Sequence, residues 1–145
     1  MFSYNSVEYD ICQTQGWIYK LAAKMGYDMK LFSDMYLKSD FCRRAFDTKY
    51  SRFQLSDAEE SMDFILPEIG NCIKKMEQDE IFSPDVAEWI GFVYRQLYIE
   101  TQIPSKVLQE TVSFTSMCRY YPGLHTIDEE NATEIICEDF GLKKV

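Results

Sequence analysis

SPDVAEWIGFVYRQLYIETQIPSK, residues 83–106, is the stretch that decides the fold class. Ser83 stands where a helix N-cap belongs, and Pro84 follows at the first helical position, where a missing amide costs nothing. Val86, Ile90, Val93 and Leu97 then recur at helical spacing, which predicts a long helix with one apolar stripe. Gly91 interrupts it. In an exposed helix interior glycine costs about 1 kcal/mol relative to alanine, so something should offset that cost. Either a neighbouring element packs on the bare backbone, with the first helix and Trp17 as the obvious candidates, or a groove over Gly91 takes a partner's side chain. Packing is the expectation, because small residues at helix contacts are common in cores.

The same signals recur along the chain. Ser6 is expected to cap a first helix with Ile11, Ile18, Leu21, Ala22 and Met25 on one face, stopped by Gly26. Asp28 precedes Leu31, Phe32, Met35 and Tyr36 at helical spacing, and Ser39 precedes Phe41, Cys42, Ala45 and Phe46. TKYSRFQL, residues 48–55, has no helical period and reads as a loop or a brief extended segment. Ser56-Asp57-Ala58-Glu59 fits a capping box ahead of Ala58, Met62, Ile65, Leu66 and Ile69, with Pro67 expected to kink or end the helix. Ser105 and Ser113 are expected to cap short helices carrying Val107, Leu108 and Val112, then Phe114, Met117 and Cys118. YYPGLH, residues 120–125, reads as a turn. Thr126 and Glu129 form a second capping box before Ala132, Ile135, Ile136, Phe140 and Gly141. The sum is an all-α fold: an irregular single-domain bundle of six to eight helices over residues 1–145, with a candidate sub-boundary in the polar segment 71–82.

Composition agrees with a packed cytoplasmic domain. The chain has 145 residues, 46% of them hydrophobic and 15% aromatic, far from a disordered composition. Its formal charge of −9 repels nucleic acid and anionic membrane at long range and attracts a basic protein. The five cysteines, at 12, 42, 72, 118 and 137, form no CxxC and read as reduced thiols rather than a disulfide frame or zinc site. The first residues lack the basic start and apolar run of a signal peptide, and no apolar run approaches the roughly 20 residues of a membrane span. No cofactor loop or metal spacing is present, and no enzyme is expected.

Two clusters invite a binding role. Tyr94, Arg95 and Tyr98 lie beside the core stripe of the long helix, where half-buried aromatic bodies and water-facing polar tips would suit a partner contact. KSDFCRRAFDTKYSR, residues 38–52, holds Lys38, Arg43, Arg44, Lys49 and Arg52, a third of the chain's 15 positive residues, against Asp40 and Asp47. With Phe41, Phe46, Tyr50 and Phe53 interleaved it could hold a phosphate backbone and stack bases. Alternatively, this basic face docks on acidic segments such as DAEE at 57–60 or EDF at 138–140. His125 is the single histidine; a nucleophile pair with Cys118 can be imagined, but a helix-capping or turn-closing histidine is expected. DEEN, residues 128–131, lacks the alternating calcium loop and fits an acidic first helical turn.

Trp89-Ile90-Gly91-Phe92, followed by Tyr94-Arg95 and later by Tyr121 and His125-Thr126, resembles a set of small acidic bacterial antitoxin-like proteins of unassigned function. In those proteins a W-[IV]-G-[FY] helix precedes a turn ending in His-Thr. The resemblance runs from residue 83 to about residue 136 and implies protein binding rather than catalysis, with Trp89, Gly91, Tyr94, Arg95 and His125 as the matching positions. Together with Tyr98 and Tyr121 these give the partner-binding candidates Trp89, Tyr94, Arg95, Tyr98, Tyr121 and His125. The expected function is non-enzymatic, antitoxin-like or immunity-like neutralisation of a basic protein, such as a toxin encoded nearby. The alternative is a nucleic-acid accessory protein using residues 38–52.

Overall fold

Local capping chemistry sets the helix boundaries in the structure, a computed structural model that describes residues 6–145. Among the described residues eight α-helices follow one another: α1 (Ser6–Lys24), α2 (Met29–Leu37), α3 (Asp40–Ala45), α4 (Ala58–Ile69), α5 (Pro84–Thr101), α6 (Ser105–Thr111), α7 (Phe114–Leu124) and α8 (Glu129–Phe140). Among the described residues there is no strand, only an isolated bridge between Tyr27 and Lys75. The fold is an all-α bundle in one compact domain.

Several caps fall where the sequence puts them. The Asp28 carboxylate accepts the Leu31 amide, Ser39 Oγ that of Cys42, and Ser113 Oγ that of Ser116. Gly26 ends α1 at φ +86°, and the Tyr27 amide reaches back to the Ala22 carbonyl at 3.2 Å, a left-handed stop that glycine adopts without strain.

Others are displaced. Ser6, expected as a cap, is the first described residue of α1 itself. The α4 cap is Asp57 rather than Ser56, whose hydroxyl turns back to the Phe53 carbonyl. The α8 cap is Asp128 rather than Thr126. Ser105 caps nothing, because its hydroxyl is drawn into the core. Residues 52–55 form a single 3₁₀ turn closed by a reciprocal Ser51–Gln54 capping box. YYPGLH is not a turn: α7 runs through Pro122 and Gly123 to Leu124. Pro122 lies in the last turn, where its missing amide deprives only the Cys118 carbonyl of an intrahelical partner.

The segment 71–82 is pinned rather than slack. The Asp28 amide donates to the Lys74 carbonyl at 2.8 Å and the Met76 amide to the Gly26 carbonyl at 2.7 Å. The helix that follows it, α5, makes with α1 the most extensive helix contact among the described residues.

That contact is where Gly91 sits. A Cβ there would lie 2.7 Å from Tyr19 Cγ and 2.9 Å from the Gln15 carbonyl oxygen. The expected packing role is therefore met, but by Tyr19; Trp17 points away and is 45% exposed. Gly16 does the same from the other side, since a Cβ on it would meet the Glu88 carbonyl oxygen at 2.9 Å. Each helix presses a glycine onto the other's backbone.

Candidate functional site

Of the six candidate contact residues, the fold brings three together and withdraws two. Arg95 is fully buried. Its Nε and Nη2 donate to Gln15 Oε1 at 3.0 and 2.8 Å, Nη1 to Asp47 Oδ1 at 2.7 Å and to the Phe46 carbonyl at 3.2 Å, and Nη2 also to Ser105 Oγ at 2.9 Å. Asp47 in turn accepts the Ser105 amide at 2.7 Å and hydroxyl at 2.5 Å. Every guanidinium edge is thus spent on tying α5 to α1, the end of α3 and the start of α6, and no donor is left for a partner. Tyr94 is also buried, its hydroxyl donating to the Val112 carbonyl at 2.5 Å. The expected water-facing tips of these two residues are therefore a correction: both serve the core. Tyr98 is half-buried, with its ring face 4.9 Å from the guanidinium carbon of Arg95.

Trp89, Tyr121 and His125 meet on one groove of about 210 Å³ between α1, α5 and α7. Trp89 and Tyr121 pack edge-to-face at 5.6 Å, and His125 stacks flat on Tyr121 at 4.2 Å. His125 Nδ1 lies 2.7 Å from the Tyr121 carbonyl oxygen, and the residue closes α7 as its C-cap, the structural role expected for it. Across the groove Tyr9 meets Phe92 at 5.2 Å. The remaining lining is Gln13 with three carboxylates, Asp85, Glu88 and Glu129.

Two physical details define this groove. Trp89 is only 8% exposed, yet its Nε1–H finds no acceptor among the described residues, which is costly for a buried donor. The carboxylates also make the site electronegative. Burial, followed by the nearby charges of Glu129 and other acidic groups including Glu88, holds the Tyr9 hydroxyl above its ordinary pKa. At the rim the ammonium of Lys20 sits 3.3 Å from Glu88 and 3.7 Å from Asp85. No family model, curated protein or solved structure matches this chain.

Sequence reading missed Tyr9, Gln13, Asp85, Glu88, Phe92 and Glu129. Part of the signal was available, since Asp85, Glu88, Trp89 and Phe92 follow helical spacing and form a second stripe beside the core stripe of α5. Tyr9, Gln13, Gly16 and Lys20 do the same on α1. Only the tertiary fold sets one against the other.

The other candidates disperse. Lys38, Arg43, Arg44, Lys49 and Arg52 are all exposed, but of the four rings expected to stack bases Phe41 and Phe46 are buried and Phe53 is partly covered, which leaves Tyr50 alone exposed. Arg43 pairs with Asp40 at 3.4 Å, and Arg52 pairs with Glu60, part of the DAEE segment. The EDF segment meets α7 instead, where the Tyr120 hydroxyl donates to Asp139 at 2.6 Å. Cys118 and His125 line separate cavities, and burial raises the Cys118 thiol above its ordinary value, the opposite of what an activated nucleophile needs. Among the described residues no cluster has metal-ligating geometry, and no helix is long and apolar enough to cross a membrane.

Proposed function

We propose that this protein is a non-enzymatic binding protein, antitoxin-like or immunity-like, that neutralises a basic protein partner in the cytoplasm by covering its surface. The observation that carries this reading is the convergence of Trp89, Tyr121 and His125 on a groove bordered by Asp85, Glu88 and Glu129. Aromatic anchors beside carboxylates favour a cationic surface, and a net charge of −9 draws such a surface in from a distance. The resemblance of Trp89-Ile90-Gly91-Phe92 and His125-Thr126 to antitoxin-like proteins points the same way, toward a partner encoded nearby.

The test is capture of the tagged protein from its own cells together with co-expression beside the product of the neighbouring gene. The expected result is a basic protein that co-purifies with the wild type, is lost with Trp89→Ala, and whose growth inhibition is relieved by co-expression. Absence of any such protein, or binding indifferent to Trp89→Ala, overturns the reading. The nucleic-acid alternative gains no support from the burial of Phe41 and Phe46.

A further inference from the structure

A second cavity, of about 290 Å³, lies between the start of α1, the loop after α3 and the last turns of α5, and shares no lining residue with the groove. Its floor is apolar: Ile11 and Phe46 are buried, with Ile99 half-buried beside them. The walls are fixed before anything enters. Gln54 accepts the Ser51 amide at 3.2 Å and donates to the Thr48 carbonyl at 3.0 Å, which locks the loop. The guanidinium carbon of Arg95 lies 5.4 Å from the Phe46 ring centre and 4.9 Å from that of Tyr98, which holds both rings. Walls held in this way keep the space from closing, so a ligand's apolar body gains the contacts that the floor lacks.

Two charges of opposite sign border this floor from different elements. Lys49 stands exposed on the loop after α3, and Glu8 stands half-buried in the first turn of α1. Tyr98 adds a hydroxyl that burial, above all, holds above its ordinary pKa, so it is a donor at neutral pH. A monoanion would satisfy Lys49 and be repelled by Glu8, and a monocation would do the reverse. A zwitterion matches both.

We infer that this cavity binds a free α-amino acid with a large apolar side chain. Its carboxylate sits on Lys49 and the Tyr98 hydroxyl, its ammonium on Glu8, and its side chain over Ile11, Phe46 and Ile99. The Glu8 carboxylate has about four acceptor sites, so it takes an ammonium alongside any other contact it makes. Side chains the size of leucine or phenylalanine suit the volume, whereas glycine brings both charges without the body that the floor requires. The site stands apart from the protein-binding reading, and either can fail alone.

Calorimetry of the wild-type protein with L-leucine and L-phenylalanine is the test, together with three probes that each lack one part. Leucine amide lacks the carboxylate, N-acetyl-leucine lacks the ammonium, and glycine lacks the apolar side chain. The expected result is saturable binding of leucine or phenylalanine with a Kd of about 1 mM or tighter, and binding roughly tenfold weaker or absent for each probe. Lys49→Gln and Glu8→Gln should each weaken leucine binding roughly five- to tenfold, whereas Lys30→Gln, on α2 and outside the cavity, should leave it unchanged.

No saturation with either amino acid up to about 10 mM overturns the inference. So does binding of leucine amide, N-acetyl-leucine or glycine as tight as that of leucine, or wild-type affinity in either cavity variant. An equal loss with Lys30→Gln would mark a response to overall charge and overturns it as well. Thermal melts of the unliganded variants separate loss of binding from loss of fold, and the probes, acting on the wild-type chain, decide the matter even where a variant unfolds.

Discussion

At Gly91 two opposing terms of known size meet. Alanine is the better helix former by about 1 kcal/mol, but its methyl would stand 2.7 Å from the Tyr19 ring and 2.9 Å from a backbone oxygen, and overpacking of this kind typically costs about 1–3 kcal/mol. Gly91→Ala should therefore lower the melting temperature, and Gly16→Ala should too, its methyl meeting the Glu88 carbonyl oxygen at 2.9 Å. Gly123→Ala, with nothing within 4 Å, should raise it. Thermal melts of the three variants check the set, and a stabilised Gly91→Ala would refute the packing account. Arg95 gives the larger effect: removing one partner of a buried ion pair typically costs about 3–5 kcal/mol, so Arg95→Ala should lose that much in denaturant unfolding. Arg95→Lys should fare little better, because one ammonium cannot reach Gln15, Asp47 and Ser105 together. The close approach at Gly91 was legible from the propensity cost alone. The burial of Arg95 was not, because its partners come from positions 15, 46, 47 and 105, and no local pattern links them.

Among the helices, most errors of sequence reading are errors of boundary, and the error of type is at residues 120–124, where the expected turn is helix. Asp57 and Asp128 displace the serine and threonine predicted one or two residues earlier, since aspartate caps as well as serine and adds a charge that favours the helix start. The Ser51–Gln54 box was visible as S-x-x-Q but precedes no apolar run, so it opens only one turn. Asp128 carries a pH signature. The hydrogen bond from the Asn131 amide holds its carboxyl below the ordinary value, so the folded state binds that proton less readily than the unfolded chain. Its stabilisation is complete above the unfolded carboxylate range and fades as the pH falls through the lower, folded value. Asp128→Ala should therefore lower the melting temperature at neutral pH, with the deficit shrinking as the pH falls below the ordinary carboxylate range, while Thr126→Ala should have no effect at either pH. A deficit that persists in acid would assign the effect to something other than the cap charge.

For the whole molecule, the net charge of −9 makes the proposed association with a basic partner dependent on ionic strength. Raising salt from about 0.05 to 0.5 M should slow association in stopped-flow measurements while changing dissociation little, because screening acts on the approach and the aromatic contacts act on the bound state. A salt-insensitive association rate would remove steering from the account. The bundle class and its helix count came from caps and periodicity summed over the chain. The groove did not, because it exists only where α1 lies across α5. That crossing also has a temporal side. Gly16 and Glu88 touch across an interval of 72 positions, 88 minus 16, so α1 emerges from the ribosome long before its principal cover does. At ordinary synthesis rates of about 5–20 residues per second the wait is roughly 4–14 s, during which Tyr9, Gln15, Gly16 and Tyr19 have nothing of α5 to meet. The nascent chain is thus most exposed to proteases and aggregation in that window. Substitutions along this face of α1 should register in the yield of soluble protein before they register in the melting temperature of the molecules that survive.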